Sequence, residues 1–84
     1  MGSLRFDGVR FTVYTMDHAP RHVHGFYAEL EVIVDLRLDG AVSLARRKYA
    51  VRSGNGSVAD IRHVLTVAAR HFEKLAALWE KHHG

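Results

Sequence analysis

Residues 16–24 read Met-Asp-His-Ala-Pro-Arg-His-Val-His, which puts three histidines, one carboxylate, one arginine and the only proline of the chain into nine positions. An imidazole titrates near neutral pH and ligates metals when neutral, so two chemistries are open to this stretch, proton transfer and metal binding. Metal-independent cleavage of RNA needs one histidine to remove the ribose 2′-hydroxyl proton, a second to protonate the leaving oxygen, and a cation beside the phosphate. His22, His24 and His71 supply the imidazoles for such a site, Arg21 or Arg46 the cation, and Asp17 an orienting carboxylate. Tyr14 or Tyr49 offers a ring on which a base stacks. Metal binding uses the same region differently: His22 and His24 are alternate residues of a strand, and Asp17, His18 or His71 completes a tetrahedral shell around a divalent ion such as zinc. The plainest reading has Asp17 and His18 capping a turn before Pro20, with His22, His24 and His71 hydrogen-bonded to backbone at the edge of the core.

The elements that must hold these groups are short. Leu4 to Phe6 and Val9 to Thr15 alternate in polarity around Asp7-Gly8, a dipeptide that suits a two-residue hairpin because both central positions want positive φ. Val9, Phe11 and Val13 share the core face. Pro20 makes the first half of the histidine stretch a loop. From His22 to about Leu36 the pattern predicts one long strand, with Phe26, Ala28, Leu30, Val32 and Val34 on one side. In an unbroken strand His22 and His24 join that core side, and a bulge at Gly25 would reverse both.

A second turn at Asp39-Gly40 leads to a return strand over 41–45. Arg46, Arg47, Lys48, Tyr49 and Arg52 form a basic stretch, read either as a solvated loop or as a contact for nucleic acid, and Ser53-Gly54-Asn55-Gly56 reads as loop. Ser57 with Asp60 resembles a capping box that opens one long helix from about Val58 to about Lys81. Its apolar stripe is Ile61, Leu65, Ala68, Phe72, Leu75 or Ala76, and Trp79, with His71 at the stripe's boundary and residues 81–84 fraying. The expected architecture is α+β: an antiparallel sheet of about four strands built from hairpins, with one C-terminal helix packed on one face.

Composition bounds the rest. Eighty-four residues, 48% of them hydrophobic, suit a single domain over 1–84. Without cysteine there is no disulfide framework and no thiolate zinc site, which fits a reducing, cytoplasmic setting and leaves packing, helped by a homodimer contact, to stabilise the chain. No apolar run approaches the roughly 20 residues of a membrane span, so no membrane partner is expected. A net charge of +3 permits RNA as a partner without requiring it. Met1-Gly2-Ser3 is assigned no function.

The run Arg5-Phe6-Asp7-Gly8-Val9-Arg10-Phe11, followed by Tyr14-x-x-Asp17-His18-x-Pro20-x-His22-Val23-His24, resembles the small bacterial proteins called domain of unknown function 4160. The likeness continues more loosely to His71, eight residues before Trp79. Arg21 stands where members commonly have a second proline, Gly25 where they have an aliphatic residue, and the stretch from about Lys48 to Gly56 is longer. The resemblance implies a gene beside that of another small protein, as in toxin–antitoxin pairs, and carries over no catalytic residues. Two functions follow as expectations. One is a toxin–antitoxin-like component that binds or cleaves RNA through its histidine cluster. The other is a noncatalytic protein-interaction module, acting on a cognate small protein or a second copy, with structural or metal-binding histidines. Apart from a divalent metal such as zinc, no cofactor is expected.

Overall fold

The computed structural model describes residues 2–52 and 57–83, so the expected loop at 53–56 lies outside the described residues. Strands β1 (Gly2–Phe6) and β2 (Val9–Val13) form the expected hairpin, and Asp7 and Gly8 both take positive φ, 50° and 81°. Strand β3 (His22–Tyr27) pairs with β2, β4 (Leu30–Leu36) pairs with β3, and both β5 (Val42–Leu44) and β6 (Val51–Arg52) pair with β4. All pairings are antiparallel. The fold is the expected α+β, but with six strands among the described residues where about four were expected.

The extra strands have local causes. The expected long strand over 22–36 is a hairpin, in which Tyr27 partners Leu30 and Ala28-Glu29 makes the turn with Ala28 at φ 53°. A two-residue turn reverses parity, so Val23, Gly25 and Tyr27 face the same way as Leu30, Val32, Val34 and Leu36. The end of the basic stretch forms β6, beside the first half of β4. Gly25 is no bulge, since it sits in regular register between Phe11 and Val32. A Cβ there would stand 2.7 Å from Val64 Cγ1 and 3.3 Å from Phe11 Cε1, so glycine is the residue that lets the helical layer approach.

That layer is two helices, α1 (Val58–Arg70) and α2 (Phe72–His83), where one was expected. Ser57 caps α1, its hydroxyl accepting from the Asp60 amide at 3.1 Å. The break falls at His71, whose backbone leaves helical geometry (φ −113°, ψ 27°) as its ring stacks on Phe6. The buried side chains Val64, Val67, Ala68, Leu75, Leu78 and Trp79 pack against Val9, Phe11, Val13, Val23, Leu30, Val32, Val34 and Leu36. Ile61, Leu65 and Phe72, expected in the centre of the stripe, are half-buried at its border. Each fully buried Val or Phe contributes roughly 1.5–3 kcal/mol. Helix α2 does not fray before His83, whose ring stacks on Trp79. On the other face of the sheet Ile33 is buried under Ala45 and Ala50, so an apolar residue stands between Val32 and Val34 where strict alternation would place a polar one.

Candidate metal centre

The site begins with a turn. After β2 the Asp17 amide donates to the Tyr14 carbonyl at 3.0 Å, and the Tyr14 amide donates to Asp17 Oδ2 at 3.0 Å. This reciprocal pair fixes the carboxylate above the start of β3. By register His24 and Phe26 lie on the face away from the helices, paired with Thr12 and Arg10, and His22 shares their parity. The expectation that both histidines join the layer of Leu30 and Val32 is overturned for His24 by the turn at Ala28-Glu29, whereas His22, at the start of β3 and beyond its pairing with β2, packs its ring against Trp79 of α2. Both imidazoles are nonetheless buried, at 1% and 8% exposure. Tyr14 meets His24 edge-on at 4.9 Å, and Trp79 of α2 meets His22 at 5.2 Å.

Hydrogen bonding sets the state of each ring. His22 Nδ1 lies 2.9 Å from the Pro20 carbonyl, which only accepts, so the proton of a neutral ring sits on Nδ1 and Nε2 carries the lone pair. His24 lies between two carboxylates, its Nδ1 3.0 Å from Glu31 Oε2 and its Nε2 3.3 Å from Asp17 Oδ1, so each ring nitrogen faces an acceptor within hydrogen-bond range. Both Nε2 atoms then point at Asp17, at 3.5 Å for His22 and 3.3 Å for His24. His22 Nε2 is buried with no hydrogen-bond partner. In a neutral ring the His22 contact sets acceptor against acceptor, and a neutral His24 can donate to only one of its two carboxylates, so added positive charge, as protons or as a cation, relieves both. Burial pushes the Asp17 carboxyl pKa up, but the Tyr14 amide, the charges of His24 and His22 and the hydrogen bond from His24 outweigh it and hold the pKa below 3.8.

One ligand atom from each of Asp17, His22 and His24 falls within 4.8 Å of the others. A tetrahedral ion with bonds of about 2.0–2.1 Å places its ligand atoms roughly 3.3–3.4 Å apart, whereas adjacent octahedral ligands at that length stand about 3.0 Å apart. The two separations from Asp17 Oδ1, 3.5 Å to His22 Nε2 and 3.3 Å to His24 Nε2, are close to the tetrahedral edge, and the ligand atoms all lie within 4.8 Å of one another. Glu31 and the Pro20 carbonyl occupy the positions from which outer groups orient metal-bound imidazoles.

Other expected site residues lie elsewhere. His71 is not part of the group: its ring stacks on Phe6 at 3.9 Å and its Nε2 stands 3.9 Å from Asp7 Oδ2, at the β1–β2 turn. The whole of β2 separates that turn from Asp17, roughly 13 Å from Val9 to Val13 at about 3.3 Å per residue. His18 is exposed and contributes no ligand atom to the group. Arg21 is spent on structure, donating from Nε to the Leu36 carbonyl at 2.9 Å and from a terminal nitrogen to the Arg37 carbonyl at 3.1 Å. Arg46, Arg47, Lys48 and Tyr49 are exposed and outside the cluster, while Arg52 reaches it indirectly, 3.9 Å from Glu31 Oε1. A surface hollow lined in part by Gly40, Arg70, His71 and Phe72 includes none of Asp17, His22 and His24.

Sequence reasoning missed Glu31 and Trp79 as neighbours of the histidines. The signal for Glu31 was the hairpin itself: once Tyr27 partners Leu30, Glu31 stands opposite Phe26 and diagonal to His24.

A family model described as "Domain of unknown function (DUF4160)" matches residues 8–80. No curated protein and no solved structure matches the chain.

Proposed function

The chain belongs to the DUF4160 family, and for this member, to which the family assigns no activity, we propose a metal-binding role: Asp17, His22 and His24 hold one divalent transition ion, best fitted by zinc. The observation that carries this reading is His22 Nε2, a buried lone pair without a partner, aimed at the Asp17 carboxylate that His24 Nε2 also approaches, at 3.3 Å. A cation among the three turns the repulsive His22–Asp17 contact into two bonds to the ion. Nitrogen and oxygen donors at the spacing of a tetrahedral edge favour zinc over an octahedral ion. Three protein ligands leave a tetrahedral ion one position for water or an exogenous ligand, the pattern of zinc sites that do chemistry. Asp17 is the only ligand outside the sheet, so the ion also ties the 14–21 connection to β3.

Acid–base cleavage of RNA by His22, His24 and His71 has less support. His71 keeps other company, and the two remaining imidazoles are buried with their Nε2 atoms turned to Asp17 rather than to solvent.

The test is competition for zinc between untagged protein and a chromophoric chelator. Asp17→Asn, His22→Asn and His24→Asn should each weaken binding by two orders of magnitude or more, while His82→Ala with His83→Ala leaves it unchanged. Affinity in His22→Asn equal to that of the parent would end the proposal.

A further inference from the structure

The face of the sheet away from the helices carries a second feature, which shares Glu31 with the candidate metal centre. Tracing register from strand to strand gives one transverse row, Arg5, Arg10, Phe26, Glu31 and Arg52, contributed by β1, β2, β3, β4 and β6 in turn. At about 4.8 Å between strands the row spans roughly 19 Å. Its three arginines are exposed, and Phe26 is half-buried beneath the Arg10 guanidinium, 4.7 Å from the ring centre. Arg5 and Arg10 are direct cross-strand partners, an arrangement of like charges that destabilises a sheet. The acidic groups nearby are Glu31, held by His24 and Arg52, Asp17, also against His24, Asp35 farther along β4, and Glu29 in the adjoining turn. Beyond Arg52, the exposed Arg46, Arg47 and Lys48 lie in the segment whose ends, Ala45 and Ala50, cover Ile33 on this same face.

We infer that this row is a binding track for single-stranded nucleic acid. A flexible strand of phosphates offsets the Arg5–Arg10 repulsion and meets Arg52 at the far end. The Arg10–Phe26 pair offers the stacked guanidinium and aromatic planes on which an unpaired base lies. A duplex presents no free base faces to that pair. The inference rests on this face alone and not on a bound metal.

The experiment is fluorescence anisotropy with a labelled oligouridine of about 12 nucleotides and a duplex of equal length, across a salt series starting near 50 mM. Binding to the single strand should weaken with salt, at about 0.7 in the log–log slope for each phosphate contacted. Arg5→Ala with Arg10→Ala should lower that slope by about 1.4 and the affinity at least tenfold. Arg62→Ala with Lys81→Ala removes the same charge from exposed helical positions and should change affinity by less than about twofold, and thermal melts establish that both variants are folded. No binding at the lowest salt, equal losses in the two double variants, equal affinity for the duplex, or equal competition by polyglutamate would each overturn it.

Discussion

Asp17 Oδ1 and His22 Nε2 face each other at 3.5 Å in a buried setting, and the ring's other nitrogen is already committed to the Pro20 carbonyl. The tautomer that this commitment selects leaves a lone pair toward a carboxylate. His24 stands between Glu31 at Nδ1 and Asp17 at Nε2, so a neutral ring satisfies only one of the two carboxylates. Each expected consequence of this arrangement can be measured separately.

Glu31→Gln keeps an acceptor near His24 Nδ1 but removes the charge that orients and polarises the ring. Zinc affinity should fall about 10–100-fold, as for outer-shell carboxylates generally, with two histidines still bound. Chelator competition reads the first part. An unchanged affinity would mean that Glu31 does not act through His24.

Proton uptake gives a second handle, in the metal-free protein. Asp17 has a folded pKa below its ordinary 3.8, so in acid the unfolded chain takes up the proton first. The contribution of ionised Asp17 is therefore complete above 3.8 and is lost as pH falls through the lower folded value. Urea midpoints followed downward from that pH should drop more steeply in the parent than in Asp17→Asn. Parallel profiles would contradict the stated balance of burial against the Tyr14 amide and the two imidazoles.

His71→Ala separates the two-histidine site from a three-histidine one. The ring stacks on Phe6, so its loss should lower stability by about 1 kcal/mol while leaving zinc affinity within twofold of the parent. A large loss of zinc binding in a folded variant would restore His71 to the centre.

Gly25→Ala tests the contact that brings the helices over the sheet. Its methyl would meet Val64 at 2.7 Å, and overpacking of this kind costs about 1–3 kcal/mol. Combining it with Val64→Ala should recover part of that loss in a double-mutant cycle. Strict additivity would show that the two positions do not press on each other.

What could be read from sequence followed from local turn chemistry. Asp7-Gly8 announces its hairpin because both residues tolerate positive φ, and Asp39-Gly40 does the same, with Gly40 at φ 87° and Asp39 Oδ1 accepting from the Ala41 amide. Ala28-Glu29 bears no such mark. Alanine pays a steric penalty at φ 53°, so the turn is dictated by pairing of the flanking strands rather than by its own residues. That one unmarked turn sets His24 on the face away from the helices and brings Glu31 beside it. His71 was opaque for a different reason, since helical periodicity runs through it and only its stacking on Phe6 accompanies the break. The pairing of Asp17 with both histidines was within reach, because a proline-stiffened loop of four residues, His18 to Arg21, cannot carry Asp17 far from the start of β3.

X-ray absorption at the zinc edge, on protein loaded with one equivalent of zinc and carrying His82→Ala and His83→Ala, asks directly what surrounds the ion. The expected spectrum has two imidazoles with the remaining ligands oxygen, at about 2.0–2.1 Å, and loses one imidazole in His22→Asn. A spectrum without imidazole scattering, or one that His22→Asn and His24→Asn leave unchanged, would contradict a centre built on Asp17, His22 and His24.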